Sequence, residues 1–151
     1  MILFLDFDGV LHPEPCYDDT RLFCHRELFE SVVRDCPYVE IVISSTWRHN
    51  LSLDEIRALF SPEVSEKIVG VTPDWVDLPD LQEVIGQYRR HVEIEGYLRR
   101  SGKPWQDWVA LDDKAYWFKP FLRNLVRCDS TIGMTPEIAE SLRNKLKDPR
   151  C

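Results

Sequence analysis

The chain opens Met1-Ile2-Leu3-Phe4-Leu5-Asp6-Phe7-Asp8-Gly9-Val10. Its run Ile2–Leu5 is apolar without alternation, the pattern of a strand covered on both faces of a parallel sheet. The run breaks off at two aspartates and a glycine, residues that suit a tight turn. In open α/β sheets ligands sit beyond the carboxyl ends of the strands, so the break carries the chemistry and the run carries the fold.

Working outward, the same pattern recurs. Residues 39–43 form a β-branched run ending at Ser44-Ser45-Thr46, Ile68–Val71 is a further strand, residues 108–111 end at Asp112-Asp113, and a last strand falls near residues 126–128. Helical spacing fills the gaps. Leu28, Phe29, Val32 and Val33 share one helix face, stopped by Pro37. Ser52-Leu53-Asp54-Glu55 is a capping box that opens a short helix ending near Phe60. Pro79-Asp80 begins a long helical stretch, interrupted or loosened by Gly86 and Gly96, with Ile94, Tyr97 and Leu98 inward and Gly102 at its end. A short helix is expected over residues 121–125. Thr135-Pro136 caps the last helix, which buries Ile138, Ala139, Leu142 and Leu146. Alternation of this kind predicts an α/β three-layer sandwich around a central parallel sheet.

Size and charge bound the reading. The 151 residues suit a single domain over 1–151, and 44% apolar residues exclude a disordered chain. The net charge of −7 argues against bulk electrostatic attraction to nucleic acid. Residues 1–75 hold 6 basic and 14 acidic side chains (−8), while residues 76–151 hold 13 and 12 (+1). An anionic substrate must therefore meet a metal or local basic groups. The apolar start is too short and lacks the basic flank of a signal peptide, and no stretch is long enough to span a membrane, so a cytoplasmic protein is expected. Five cysteines without a C-x-x-C pair predict neither a disulfide framework nor a regular zinc site on Cys16, Cys24, His12 and His25.

Three strands thus deliver hydroxyls and carboxylates to one rim. An acidic pair repels itself unless a cation neutralises it. All-oxygen ligands with room for a substrate phosphate describe magnesium.

With these residues in hand, the chain resembles the haloacid dehalogenase-like (HAD) superfamily, Rossmann-like and mostly magnesium-dependent phosphatases and phosphotransferases. Asp6-Phe7-Asp8-Gly9-Val10, the Ser44-Ser45 hydroxyls, an intervening basic residue and Asp112-Asp113 are similar to its four motifs. The strings Phe4-Leu5-Asp6-Phe7-Asp8-Gly9-Val10-Leu11-His12 and Ser44-Ser45-Thr46-Trp47-Arg48 resemble a capless subset, some members of which are domains of RNA-repair proteins.

The resemblance implies that Asp6 attacks phosphorus and forms an aspartyl-phosphate, and that Asp8 acts as acid and then base, with a raised proton affinity. It implies magnesium on the Asp6 carboxylate, the Asp8 backbone carbonyl, Asp112 and Asp113. Ser44 or Ser45 binds phosphate: counting from the strand favours Ser44, and counting from Trp47 favours Ser45. Arg90, in Arg90-His91-Val92-Glu93-Ile94, resembles the motif cation, with Arg89 and Lys103 as alternatives.

Trp47, Arg48, His49 and His12 are candidates for the substrate mouth or for plain packing. Arg99, Arg100, Lys103 and Trp105 form either a nucleic-acid strip or a solvated helix end. Trp75, Trp105 and Trp117 are candidates for an interface or for the core.

Loop 9–25 is too short for a cap domain, so an open site is expected. It would take phosphate on a large partner such as a nucleic-acid end or a protein, unless an oligomer partner supplies a lid. Phosphotransfer from the same residues, or a catalytically silent binding module, are the alternative functions.

Overall fold

The computed structural model describes residues 1–81 and 87–147. In chain order the strands are β1 (Ile2–Leu5), β2 (Glu40–Ile43), β3 (Ile68–Val71), β4 (Trp108–Asp112) and β5 (Leu125–Arg127). The α-helices are α1 (Arg26–Arg34), α2 (Leu53–Arg57), α3 (Pro62–Ser65), α4 (Arg89–Arg100) and α5 (Pro136–Leu146). The five strands form one parallel sheet in the order β3-β2-β1-β4-β5, the Rossmann-like three-layer architecture that the apolar runs predict.

Strand parity divides the core. Leu3, Leu5, Ile41, Ile43, Val109 and Leu111 pack with Phe29, Val32, Val33, Ala139 and Leu142 of α1 and α5. Their strand neighbours Ile2, Phe4, Val42 and Ala110 point the other way, against Ile94 and Leu98 of α4 and Phe118. Each fully buried Leu, Ile or Phe contributes about 1.5–3 kcal/mol, so both layers hold the sheet firmly.

Register then sets the rim. Leu5 pairs with Ile43 on one side and with Leu111 on the other. The next residues, Asp6, Ser44 and Asp112, therefore stand in one row, tied by Ser44 N–H to Leu5 O (3.0 Å) and Asp6 N–H to Leu111 O (3.1 Å).

Several local expectations are corrected. Residues 121–125 are turns rather than a helix, because Phe121 takes a left-handed φ of 59° after Pro120, and the chain enters β5 at Leu125, opposite Ala110. The helix opened by the Ser52–Glu55 capping box is present but ends at Arg57, short of Phe60. Residues 79–81 begin a helical segment, Gly86 lies outside the described residues, and α4 is a separate helix opening after Tyr88. Gly96 does not interrupt α4. A side-chain carbon there would meet Leu78 Cδ1 at 2.4 Å, so glycine serves close packing against the segment after β3. Among the described residues, neither the connection after β1 nor the one after β2 folds into a separate cap domain.

Candidate active site

The turn after β1 is compact. Phe7 O accepts from both Val10 N–H (3.1 Å) and Leu11 N–H (2.9 Å), and Gly9 sits at φ +72°. Phe7 is driven into the core against Phe23, Trp47 and Phe60, which leaves the aspartates on either side of it at the rim.

Asp6, Asp112 and Asp113 converge. Each offers a carboxylate oxygen within 4.8 Å of the others, and all three are buried. Burial, followed by repulsion from Asp112, holds the Asp6 carboxyl well above the ordinary aspartate range, with Arg90 opposing. Asp112 is also raised, by burial first and against the pull of Arg90. The field reaches Cys128, whose thiol is pushed up to about 12 by burial and then by Asp113, Asp112 and Asp6.

Arg90 in the first turn of α4 is the cation facing Asp6 and Asp112. Its Nε lies 3.1 Å from Asp112 Oδ2, and its Nη2 3.8 Å from Asp6 Oδ1. Burial opposes its charge, but Asp112, Asp6, Glu93 and Asp113 outweigh that and hold it protonated. These are ion contacts without hydrogen-bond alignment: among the described residues Arg90 Nε and Nη1 and Asp112 Oδ2 make no hydrogen bond. Arg89 points elsewhere, stacked 4.7 Å from the Trp75 ring and 5.9 Å from that of Trp117, which also covers Arg90 at 5.4 Å. Trp75 and Trp117 thus pack on the arginines. Lys103, exposed with Trp105, follows the far end of α4 near the start of β4, away from the rim, as do Arg99 and Arg100.

Parity separates the two serines. Ser44 shares the face of Val42, the side of the sheet that α4 covers, and lies in the row of Asp6 and Asp112. Ser45 falls on the opposite face, fully buried, and its hydroxyl accepts Trp47 N–H at 3.4 Å to cap the 3-10 turn Thr46–His49.

Arg48 binds inward rather than lining a mouth. It donates to the carbonyls of Ser44 (2.9 Å), Ser45 (2.9 Å) and Thr72 (3.1 Å), and pairs with Glu93 at 2.8 Å. Glu93 in turn stands 3.7 Å from Arg90 Nη1. The sequence reading missed Glu93, whose i,i+3 spacing from Arg90 is its only local signal.

Asp8 stands apart from the carboxylate trio. His12 Nε2 lies 2.8 Å from Asp8 Oδ1, and Trp47 Nε1 donates to Oδ1 at 3.1 Å and Oδ2 at 3.2 Å. The expected rise in its proton affinity is reversed. The His12 hydrogen bond, against the effect of burial and helped by Trp47, holds the Asp8 carboxyl below the ordinary range. His12, 1% exposed, is behind Asp8 and not at the mouth. A groove of about 460 Å³ opens beside Asp8, lined by Thr46, Trp47, His49, Asn50 and Leu51. Lys114, also missed, bridges Asp113 (3.0 Å) and Glu14 (2.5 Å).

Among the described residues no cluster joins Cys16, Cys24, His12 and His25; the only group spaced for a metal is the aspartate trio. No helix among them is long and apolar enough to cross a membrane.

A sheet in this strand order, with Asp6 and Asp8 after its central strand and the Asp112-Asp113 pair beside them, defines a HAD-like domain, a class with hydrolase or phosphatase-type function. More narrowly, the chain belongs to the family described as the HAD domain in Swiss Army Knife RNA repair proteins, which matches residues 2–139. No curated protein and no solved structure is significantly similar to it.

Proposed function

We propose that the protein is a magnesium-dependent phosphatase that hydrolyses exposed phosphate monoesters through Asp6, with nucleic-acid ends as the leading substrates. The observation that carries this reading is the buried Asp6–Asp112–Asp113 cluster set against Arg90. The donor set fits magnesium: all ligand atoms are carboxylate oxygens, and among the described residues Asp112 Oδ2 and Asp113 Oδ1 are buried without a hydrogen bond, while Asp113 Oδ2 has the ion contact with Lys114 at 3.0 Å. When bound, the ion offsets the charge of Asp6 and of the phosphate it approaches.

The residues divide the work as follows. Arg90 Nε and Nη1 and the Ser44 hydroxyl donate to phosphoryl oxygens and hold phosphorus before Asp6. An Asp6 oxygen bonds phosphorus as the ester bond breaks, and Asp8 gives its proton to the departing oxygen. Water then bonds the phosphorus of the aspartyl-phosphate, Asp6 is released, and the water proton passes to Asp8. In the free enzyme Asp8 favours its ionised form; an approaching phosphate dianion raises its proton affinity by like-charge repulsion.

The lack of a cap domain after β1 and β2 among the described residues and the family's description, RNA repair, support a large phosphorylated partner. The test is phosphate release from a panel of end-phosphorylated oligonucleotides, nucleotides, sugars, phosphopeptides and an aryl phosphate, with magnesium and with chelator. Turnover that needs magnesium and vanishes in Asp6→Asn is expected. Absence of turnover with metal, or equal turnover in the variant, would refute the reading. Added alcohols or nucleosides reveal any phosphotransfer through the products formed.

A further inference from the structure

The Asp8 carboxyl is held on both oxygens, more closely on Oδ1. Oδ1 faces both His12 Nε2 (2.8 Å) and Trp47 Nε1 (3.1 Å), whereas among the described residues Oδ2 accepts from Trp47 Nε1 alone, at 3.2 Å. The proton on the His12 ring is located by its other nitrogen, since Nδ1 accepts the Phe23 amide N–H at 3.3 Å. A backbone amide only donates, so the neutral ring carries its hydrogen on Nε2, aimed at Asp8.

Phe23 presents that amide from a left-handed φ of 59°, a conformation that costs a non-glycine residue about 1–2 kcal/mol. The imidazole is also wedged by the rings of Phe23 (5.2 Å) and Trp47 (6.0 Å), which touch each other at 5.1 Å. His12 is nearly sealed from solvent at 1%, while the Asp8 side chain is 35% exposed. A buried, doubly anchored histidine thus stands behind an accessible carboxyl.

We infer that His12 is a positioning residue: with Trp47 it saturates Asp8 Oδ1 and turns Oδ2 toward the ester oxygen that leaves. The inference rests on the phosphatase reading above. In the first step the proton on Oδ2 moves to the leaving oxygen as the ester P–O bond breaks, and in the second a water proton returns to Oδ2. Oδ1 accepts from His12 throughout, and His12 neither gains nor loses a proton.

The readout is the leaving group, because a good leaving group departs without a proton and a poor one does not. kcat/KM reports transfer to Asp6, the step in which the alcohol departs, and is compared for a nitrophenyl phosphate and an alkyl phosphate. His12→Phe keeps an aromatic ring and removes the donor. Its alkyl-to-aryl ratio of kcat/KM is expected to fall about 10–100-fold, within the usual reach of general acid catalysis. His12→Gln, which retains a donor and an acceptor, is expected to recover most of that ratio. If His12→Phe fails to fold by thermal melting, Trp47→Phe repeats the comparison, with a fall in the same ratio expected.

Equal losses on both substrates, or an unchanged ratio, overturn the inference. A wild-type protein that turns over nothing overturns the phosphatase reading instead, so the two failures are distinguishable.

Discussion

Gly9 lies directly against Asp113: a side-chain carbon at Gly9 would stand 2.3 Å from Asp113 Oδ2. The turn after β1 and the end of β4 are therefore in contact at the cluster. Gly9→Ala must relieve both this clash and a φ of +72°. A loss of about 1–2 kcal/mol from backbone strain alone is expected by thermal melting, together with weaker magnesium binding by calorimetric titration. Unchanged magnesium affinity would mean that Asp113 moves aside without consequence.

The proposed metal site links magnesium binding to pH through Asp6 and Asp112. Both are raised in the fold, so both bind protons more tightly folded than unfolded. The stability tied to that protonation is fully present below the ordinary value of 3.8 and is lost as pH rises through the raised folded value. Magnesium bound as proposed would offset the charge that ionisation exposes. The difference in Tm between magnesium and chelator is therefore expected to grow with pH, measured by melts across the acid-to-neutral range. A difference independent of pH would count against metal binding at these carboxylates.

Arg48 and Glu93 form a buried pair, 4% and 7% exposed. Arg48→Met leaves Glu93 buried with the more distant Arg90 and is expected to cost about 3–5 kcal/mol in chemical denaturation. Adding Glu93→Leu removes the stranded charge and is expected to recover much of that stability. Activity should not recover, because Arg90 loses its tether.

The serines should separate by assay. Ser44→Ala is expected to lower kcat/KM by about 10-fold or more, the loss of one phosphoryl hydrogen bond, with little change in Tm. Ser45→Ala removes a cap and is expected to cost about 1 kcal/mol while leaving most turnover. The reverse pattern would reassign phosphate binding to Ser45.

How legible the site was depends on which residues are considered. Asp6, Ser44 and Asp112 each close an apolar run, and a run that breaks into polar residues marks a strand end whatever follows it. The helix expected over residues 121–125 failed because apolar spacing says nothing of the left-handed turn at Phe121. The sequence allows Gly96 to interrupt or to loosen its helix, since a glycine that weakens a helix and one that permits close packing look alike until Leu78 is seen against it. His12 lies only four residues from Asp8, yet that spacing means nothing until the turn from Phe7 to Leu11 coils the loop and brings the two together.

By itself the sequence determined the strands, their order along the chain and the chemical types at their ends, because apolar runs and their breaks are local properties. Only the tertiary structure decided that Ser44 rather than Ser45 shares the row of Asp6. It also decided that Arg90 rather than Arg89 or Lys103 meets the carboxylates, and that Glu93 and Arg48 support it. Those outcomes follow from strand register, side-chain parity and the direction in which α4 returns, and each of these is set by contacts between residues far apart in the chain.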